Sequence, residues 1–148
     1  MGDIKRVKRI VSYYRRLYGT SNPFELADRL GVLYQIGNCK YEGCYMFLKN
    51  HRYIFLSNRL KDQELTLVMA HELGHALLDR KVNCYFIRNK TLLLNSKLER
   101  RANLFAAHLL ITDDILDEYS ECTEEQFSLC TGYPKELIKL RLKQPAAF

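Results

Sequence analysis

LTLVMAHELGHALL, residues 65–78, lies in a segment from Asp62 to Arg80 with no Pro and a single Gly, Gly74. Leu65, Val68, Leu73 and Leu77 recur at helical intervals, so the segment reads as one long central helix. Within it stands His71-Glu72-Leu73-Gly74-His75, an H-E-x-x-H sequence. Residues four apart lie one turn apart on the same helix face, so both imidazoles can reach one metal ion, with the Glu72 carboxylate beside them as a candidate general base. The competing reading is a helix whose two histidines are satisfied by ordinary hydrogen bonds. A third ligand decides between them.

A catalytic zinc usually keeps three protein ligands and leaves a position for water. The extended H-E-x-x-H-x-x-G-x-x-H signature would need Gly at 78 and His at 81, where the chain has Leu78 and Lys81, so that arrangement is excluded. The next candidate is Glu99, 24 residues after His75 on KLERRANLFAAHLL, residues 97–110, a segment of high helix propensity. Asn103 follows one turn later on the same face, placed to bond the free ring nitrogen of a ligating histidine and fix its tautomer. His108 is nine residues beyond Glu99, about half a revolution away, and should face elsewhere. Glu64 shares a face with His71 but sits two turns off, roughly 10 Å along the axis and too far for the same ion. His51 reads as a surface residue in a turn, and Asp79 as an exposed helix residue or a carboxylate supporting His75. Tyr53 and Tyr85 are candidate donors to a developing oxyanion, with packing as the commoner role.

Working outward, residues 4–18 carry Ile4, Val7, Ile10, Val11, Tyr14 and Leu17 at helical spacing, ended by Gly19. Asn22 and Pro23 open a second helix that stops at Gly31. Residues 32–36, 43–48 and 52–56 are rich in Val, Ile, Tyr, Phe and Leu and predict three antiparallel strands, the last two a hairpin. The strand at 52–56 leads into the central helix, and its edge could take an extended substrate segment. CYFI and TLLL, within residues 81–96, could be short strands, and two further helices are predicted to finish the chain, the last opening at Pro134. The expected fold is therefore α+β: a small three-stranded antiparallel sheet packed against a mainly helical body built around the H-E-x-x-H helix. At 148 residues with 47% hydrophobic composition, the chain reads as a single domain, residues 1–148.

No apolar run approaches a bilayer span, and the charged start MGDIKRVKRIVSYY does not resemble a signal peptide, which predicts a cytoplasmic protein. Five cysteines without a C-x-x-C pair predict reduced, mostly buried thiols. The net charge of +6 is unevenly spread. Lys5, Arg6, Lys8, Arg9, Arg15 and Arg16 crowd the first helix, whereas residues 102–134 contain no Lys or Arg. A solvated basic helix face explains the first cluster without a ligand, though nucleic acid or an acidic protein surface would also suit it.

LTLVMAHELGHALL together with LERRANLFAAHLL resembles the ImmA/IrrE family of small gluzincin-like metallopeptidases. The family's E-x-x-A-N/D-x-F-A-A pattern is matched at Glu99, Ala102, Asn103, Phe105, Ala106 and Ala107. The resemblance extends more loosely over most of the chain. His108 stands where an acidic residue is frequent, and Ile111-Thr112 replaces a frequent Met-Pro, neither at a catalytic position. What the resemblance implies is site-specific cleavage of a helix-turn-helix repressor of a phage, integrative element or stress regulon.

These readings combine into a zinc endopeptidase in which His71, His75 and Glu99 hold Zn2+ (or another divalent ion such as Mn2+), Glu72 transfers protons and Asn103 supports His71 or His75. Two alternatives stay open. Residues 4–18 and 22–30 could form a DNA-binding helix pair, although the second helix offers only Arg29 against Glu25 and Asp28, a poor recognition helix. The other is a non-proteolytic interaction protein with a structural metal, which would usually call for four protein ligands. The expected partner is a protein substrate, with no sequence-specific contact to nucleic acid and no membrane.

Overall fold

The computed structural model describes residues 2–86 and 96–144. The element order is α1 (Gly2–Tyr18), α2 (Pro23–Leu30), β1 (Leu33–Gly37), β2 (Gly43–Leu48), β3 (His51–Ser57), α3 (Asp62–Leu78), β4 (Cys84–Phe86), α4 (Lys97–Leu110), α5 (Asp113–Glu118), α6 (Glu124–Thr131) and α7 (Lys135–Leu142). The fold is α+β.

Helix α3 runs through the middle of the molecule. Every residue from Leu67 to Ala76 is buried, because the helix is apolar on nearly all sides and is enclosed by α4, by α2 and by the sheet. Tyr45, Ile54 and Leu56 are fully buried in the core that α3 shares with the sheet, whereas the alternating Tyr53 and Phe55 are half-buried and stack at 6.4 Å. Each fully buried Leu or Ile of this layer contributes about 1.5–3 kcal/mol of burial free energy.

The sheet departs from the expectation in two ways. Among the described residues it has four strands in the order β1-β3-β2-β4, and it is mixed. β2 and β3 form the predicted antiparallel hairpin, with Leu48 opposite His51 across a two-residue turn in which Lys49 and Asn50 both have positive φ, 49° and 63°. β1 lies parallel to β3, Leu33 opposite Tyr53 and Gly37 opposite Ser57, because the chain leaving β1 passes through residues 38–42 to the far side of β3 before turning back. Cys84–Phe86 supplies the fourth strand, antiparallel to β2, while TLLL at 91–94 lies outside the described residues.

Among the described residues three helices, not two, follow α4. The short α5 was missed because it is strongly acidic and buries no residue fully, although Thr112 accepts a hydrogen bond from the Ile115 amide as its N-cap. α2 begins on Asn22, whose side chain accepts from the Phe24 and Glu25 amides, and ends on Gly31 at φ 70°.

One buried arginine and two half-buried ones tie helix ends together. Arg15 donates to the carbonyls of His108 and Leu109 at 2.8 and 3.2 Å, Arg141 to that of Ile111 at 2.6 Å, and Arg52 to those of Leu30 and Ala76 at 2.7 and 3.4 Å. One member of the basic α1 cluster thus caps α4, while Lys5, Arg6, Lys8, Arg9 and Arg16 stay exposed.

His108 is buried among these groups. Burial, reinforced by Arg141, Lys8 and Arg15 and opposed only by Asp113, depresses its pKa from 6.5 to about 4. The unfolded chain then takes up this proton first, so the stability that a neutral His108 preserves is intact above pH 6.5 and is lost as pH falls toward 4. The loss amounts to at most about 3 kcal/mol. In metal-free protein, denaturant midpoints at pH 7 and pH 4.5 should diverge more for the wild type than for His108→Gln. Identical pH dependence in the two proteins would remove His108 as the cause.

Candidate metal centre

The geometry of the site begins with a missing side chain. A Cβ at Gly74 would stand 3.1 Å from the Cα of Ala102 and 3.2 Å from both its carbonyl oxygen and the Cβ of Phe105. Gly74 therefore lets α4 lie directly on α3, and the fully buried Ala102, Ala106 and Ala107 keep the α4 side equally thin.

That contact brings three side chains to one point. His71 Nε2 lies 3.0 Å from Glu99 Oε2, His75 Nε2 lies 3.2 Å from Glu99 Oε1, and the two Nε2 atoms are 3.1 Å apart. One ligand atom from each of the three residues falls within 4.8 Å of the others. Both histidines are fully buried, and the Glu99 side chain keeps 12% exposure. Ser96 opens α4 by accepting from the Glu99 amide, so Glu99 sits in the helix's first turn.

Asn103 Oδ1 lies 2.7 Å from His71 Nδ1. An amide oxygen only accepts, so Nδ1 carries the proton and Nε2 presents its lone pair to the cluster. Burial, the largest influence, lowers the His71 pKa and favours the neutral ring, although hydrogen bonding to Glu99 opposes it. Burial works to raise the Glu99 pKa, but His71 and His75 in their protonated form, with Nε2 facing its two oxygens, outweigh it and hold the carboxyl at about 2. Two imidazoles and an ionised carboxylate converging in a buried place form a donor set suited to a divalent cation.

Glu72 is distinct from the three. Both its carboxylate oxygens are buried without a hydrogen-bond partner among the described residues, and burial together with the nearby Glu99 charge raises its pKa well above the usual carboxylate range. Gly43 of β2 makes room for it: a Cβ there would lie 2.5 Å from Val68 Cγ1 and 3.4 Å from Glu72 Oε1. Unpartnered buried carboxylate oxygens are costly unless a cation, water or substrate answers them, which is a second sign that the cluster is built for a ligand.

The remaining sequence candidates lie elsewhere. His108 is at the other end of α4, near Arg15 and Arg141. His51 is exposed at the hairpin turn, the opposite end of the hairpin from Gly43, and Glu64 is exposed in the first turn of α3. Asp79 is neither exposed nor bonded to His75 through its side chain: it is 8% exposed and paired with Arg101. Tyr53 stacks on Phe55, on the sheet positions that alternate with those buried in the core, and the Tyr85 side chain lies outside the described residues. The edge of β3 is closed by β1 and β2, so among the described residues the outer strand beside the site is β4. All five cysteines are free, but only Cys44 and Cys84 are buried. Burial, with Glu99, Glu72 and Asp79 nearby, pushes the Cys84 thiol up to about 12. Sequence reasoning missed Gly43 and Arg101, since neither carries a local signal of its contact.

Comparison with known proteins follows the same residues. The family model Peptidase_M78, described as the IrrE N-terminal-like domain, matches residues 21–142. The chain is similar to "Uncharacterized immunity region protein 2" of Bacillus phage phi105, 35% identical over 144 residues that cover 95% of this chain and 91% of that one. It is also similar to "Metallopeptidase ImmA" of Bacillus subtilis (strain 168), 29% identical over 152 residues that cover 97% of this chain and 88% of the relative. With its H-E-x-x-H helix and the Glu99 helix both inside the matched span, the chain belongs to the ImmA/IrrE family of metallopeptidases.

Proposed function

We propose that residues 1–148 form one metallopeptidase domain that acts in the cytoplasm as a zinc-dependent endopeptidase and cuts a helix-turn-helix repressor at a specific bond. The observation that carries this reading is the convergence of His71, His75 and Glu99 within 4.8 Å beside the unpartnered Glu72 carboxylate. The phage immunity-region and ImmA relatives support a repressor as the substrate.

His71 and His75 would hold the ion through Nε2 and Glu99 through its carboxylate. When bound, zinc supplies Lewis-acid chemistry toward water and a peptide carbonyl. Glu72 takes the proton of the attacking water and returns it to the departing amine, and its raised proton affinity suits a group that must do both. Asn103 keeps the His71 ring in one tautomer. An extended substrate segment pairing with the outer strand β4 would run past Glu72, because Phe86 of β4 is the register partner of Gly43. The exposed face of α2, with Glu25, Asp28 and Arg29, favours a protein over a nucleic-acid partner.

The test is cleavage in purified components. The zinc-loaded protein mixed with the repressor encoded beside its gene should give two discrete fragments, lost on chelation and regained with added zinc. An intact repressor in the presence of metal-loaded protein would count against the assignment. Asn103→Ala should weaken zinc affinity by roughly 10–100-fold, measured by chelator competition. Unchanged affinity would reduce Asn103 to a packing residue.

A further inference from the structure

The Glu99 carboxylate stands in the first turn of α4, where helices fray and where backbone amides lack internal partners. It must nevertheless stay within about 3 Å of two imidazoles on another helix. The Ser96 cap holds the turn to itself but does not hold it to α3. Asn103 and the Gly74–Ala102 contact bind the two helices from one side, on residues C-terminal to Glu99.

The tie nearest the start of α4 is ionic. Arg101 Nη2 lies 2.5 Å from Asp79 Oδ1 and Nε lies 3.4 Å from Oδ2, a two-point contact between side chains that are 11% and 8% exposed. Asp79 is the C-cap of α3, its amide donating to the His75 carbonyl at 2.8 Å, so it is fixed to the turn that carries His75. Arg101 is two residues beyond Glu99. The pair therefore joins the end of the helix that bears both histidines to the turn that bears the carboxylate. Planar guanidinium–carboxylate contacts made at two points constrain direction as well as distance, which a lysine in the same place would not do.

We propose that Asp79 and Arg101 are positioning residues: their largely buried ion pair clamps the first turn of α4 to the end of α3 and holds Glu99 at the distance from His71 and His75 that binding one divalent ion requires. The proposal rests on the metal-site reading above and adds to it two residues outside the ligand set. A pair that merely stabilised the fold would lower stability when broken but leave the ligand geometry intact in molecules that remain folded.

The experiment measures zinc affinity by chelator competition, and the visible absorption of the cobalt(II)-substituted protein, for wild type, Arg101→Met, Arg101→Lys and the charge-free double variant Asp79→Asn/Arg101→Met. The double variant leaves no unpaired buried charge, so it serves if a single replacement does not fold. Arg101→Met and the double variant should lose roughly 10–100-fold in zinc affinity and show an altered cobalt spectrum at native helix content, the scale typical of residues that orient ligands. Arg101→Lys, which keeps the charge without the fork, should fall between them and the wild type. Wild-type affinity and spectrum in folded Arg101→Met or in the double variant would overturn the clamp while leaving the metal site standing. Failure of both to fold would assign the pair to stability and overturn it equally. A wild-type chain that binds neither zinc nor cobalt would overturn the metal-site reading itself, and the clamp with it.

Discussion

Glu72→Gln should leave the fold and the metal content unchanged while slowing peptide cleavage by roughly 10²–10⁴-fold, the range that a positioned proton-transfer group contributes. The replacement is nearly isosteric and removes no hydrogen bond among the described residues, where neither Glu72 oxygen has a partner. It also removes a carboxylate whose charge is disfavoured by burial and by Glu99, so thermal stability should hold or rise. The three candidate ligands are not touched. Rate loss without loss of structure or metal is the signature of a proton-transfer role, and a loss shared by all three would indicate a structural one. Single-turnover cleavage of the repressor, read beside metal content per chain, makes the distinction. Cleavage within a few-fold of wild type would exclude Glu72 as the base.

How much of this was legible in the sequence depended on how local each signal was. Asn22, Pro23 and Gly31 delimit α2 because caps act within a few residues, and the α3 and α4 segments carry enough propensity and pattern to be read at nearly their true bounds. Helical period also placed His71, His75, Glu99 and Asn103 on the faces that the structure brings together. Strand pairing is different in kind. Residues 33–37 alternate no differently for a parallel neighbour than for an antiparallel one, and only the path of residues 38–42 around β3 decides it. Gly43 is silent as well, since its need to be small comes from Val68 and Glu72, 25 or more residues away. Arg15 reads as surface charge among its basic neighbours because a basic side chain in sequence does not reveal which carbonyl it will cap. Asp79 was misread for the same reason: its partner lies on another helix.

Replacing His71 by Ala together with Glu99 by Gln should abolish stoichiometric zinc retention, and with it the stabilisation that the metal confers. One ion bound only to the native state stabilises it by about 4 kcal/mol when free metal is a thousandfold above the dissociation constant. The wild type should therefore melt at a higher temperature with zinc than without, and the double variant should show no shift. The fold itself should survive. Glu99→Gln keeps volume and retains an amide able to face His75, and His71→Ala sheds a polar ring from the core while preserving the helix. The two replacements should also fail to add. Either one leaves only two donors for the ion, so most of the affinity is gone after the first and little remains for the second to remove. Additive losses would mean that the side chains act on separate sites, in spite of lying 3.0 Å apart. Stoichiometric metal in the double variant, or no zinc-dependent shift in the wild type, would return the two histidines to the ordinary role of buried, hydrogen-bonded helix residues.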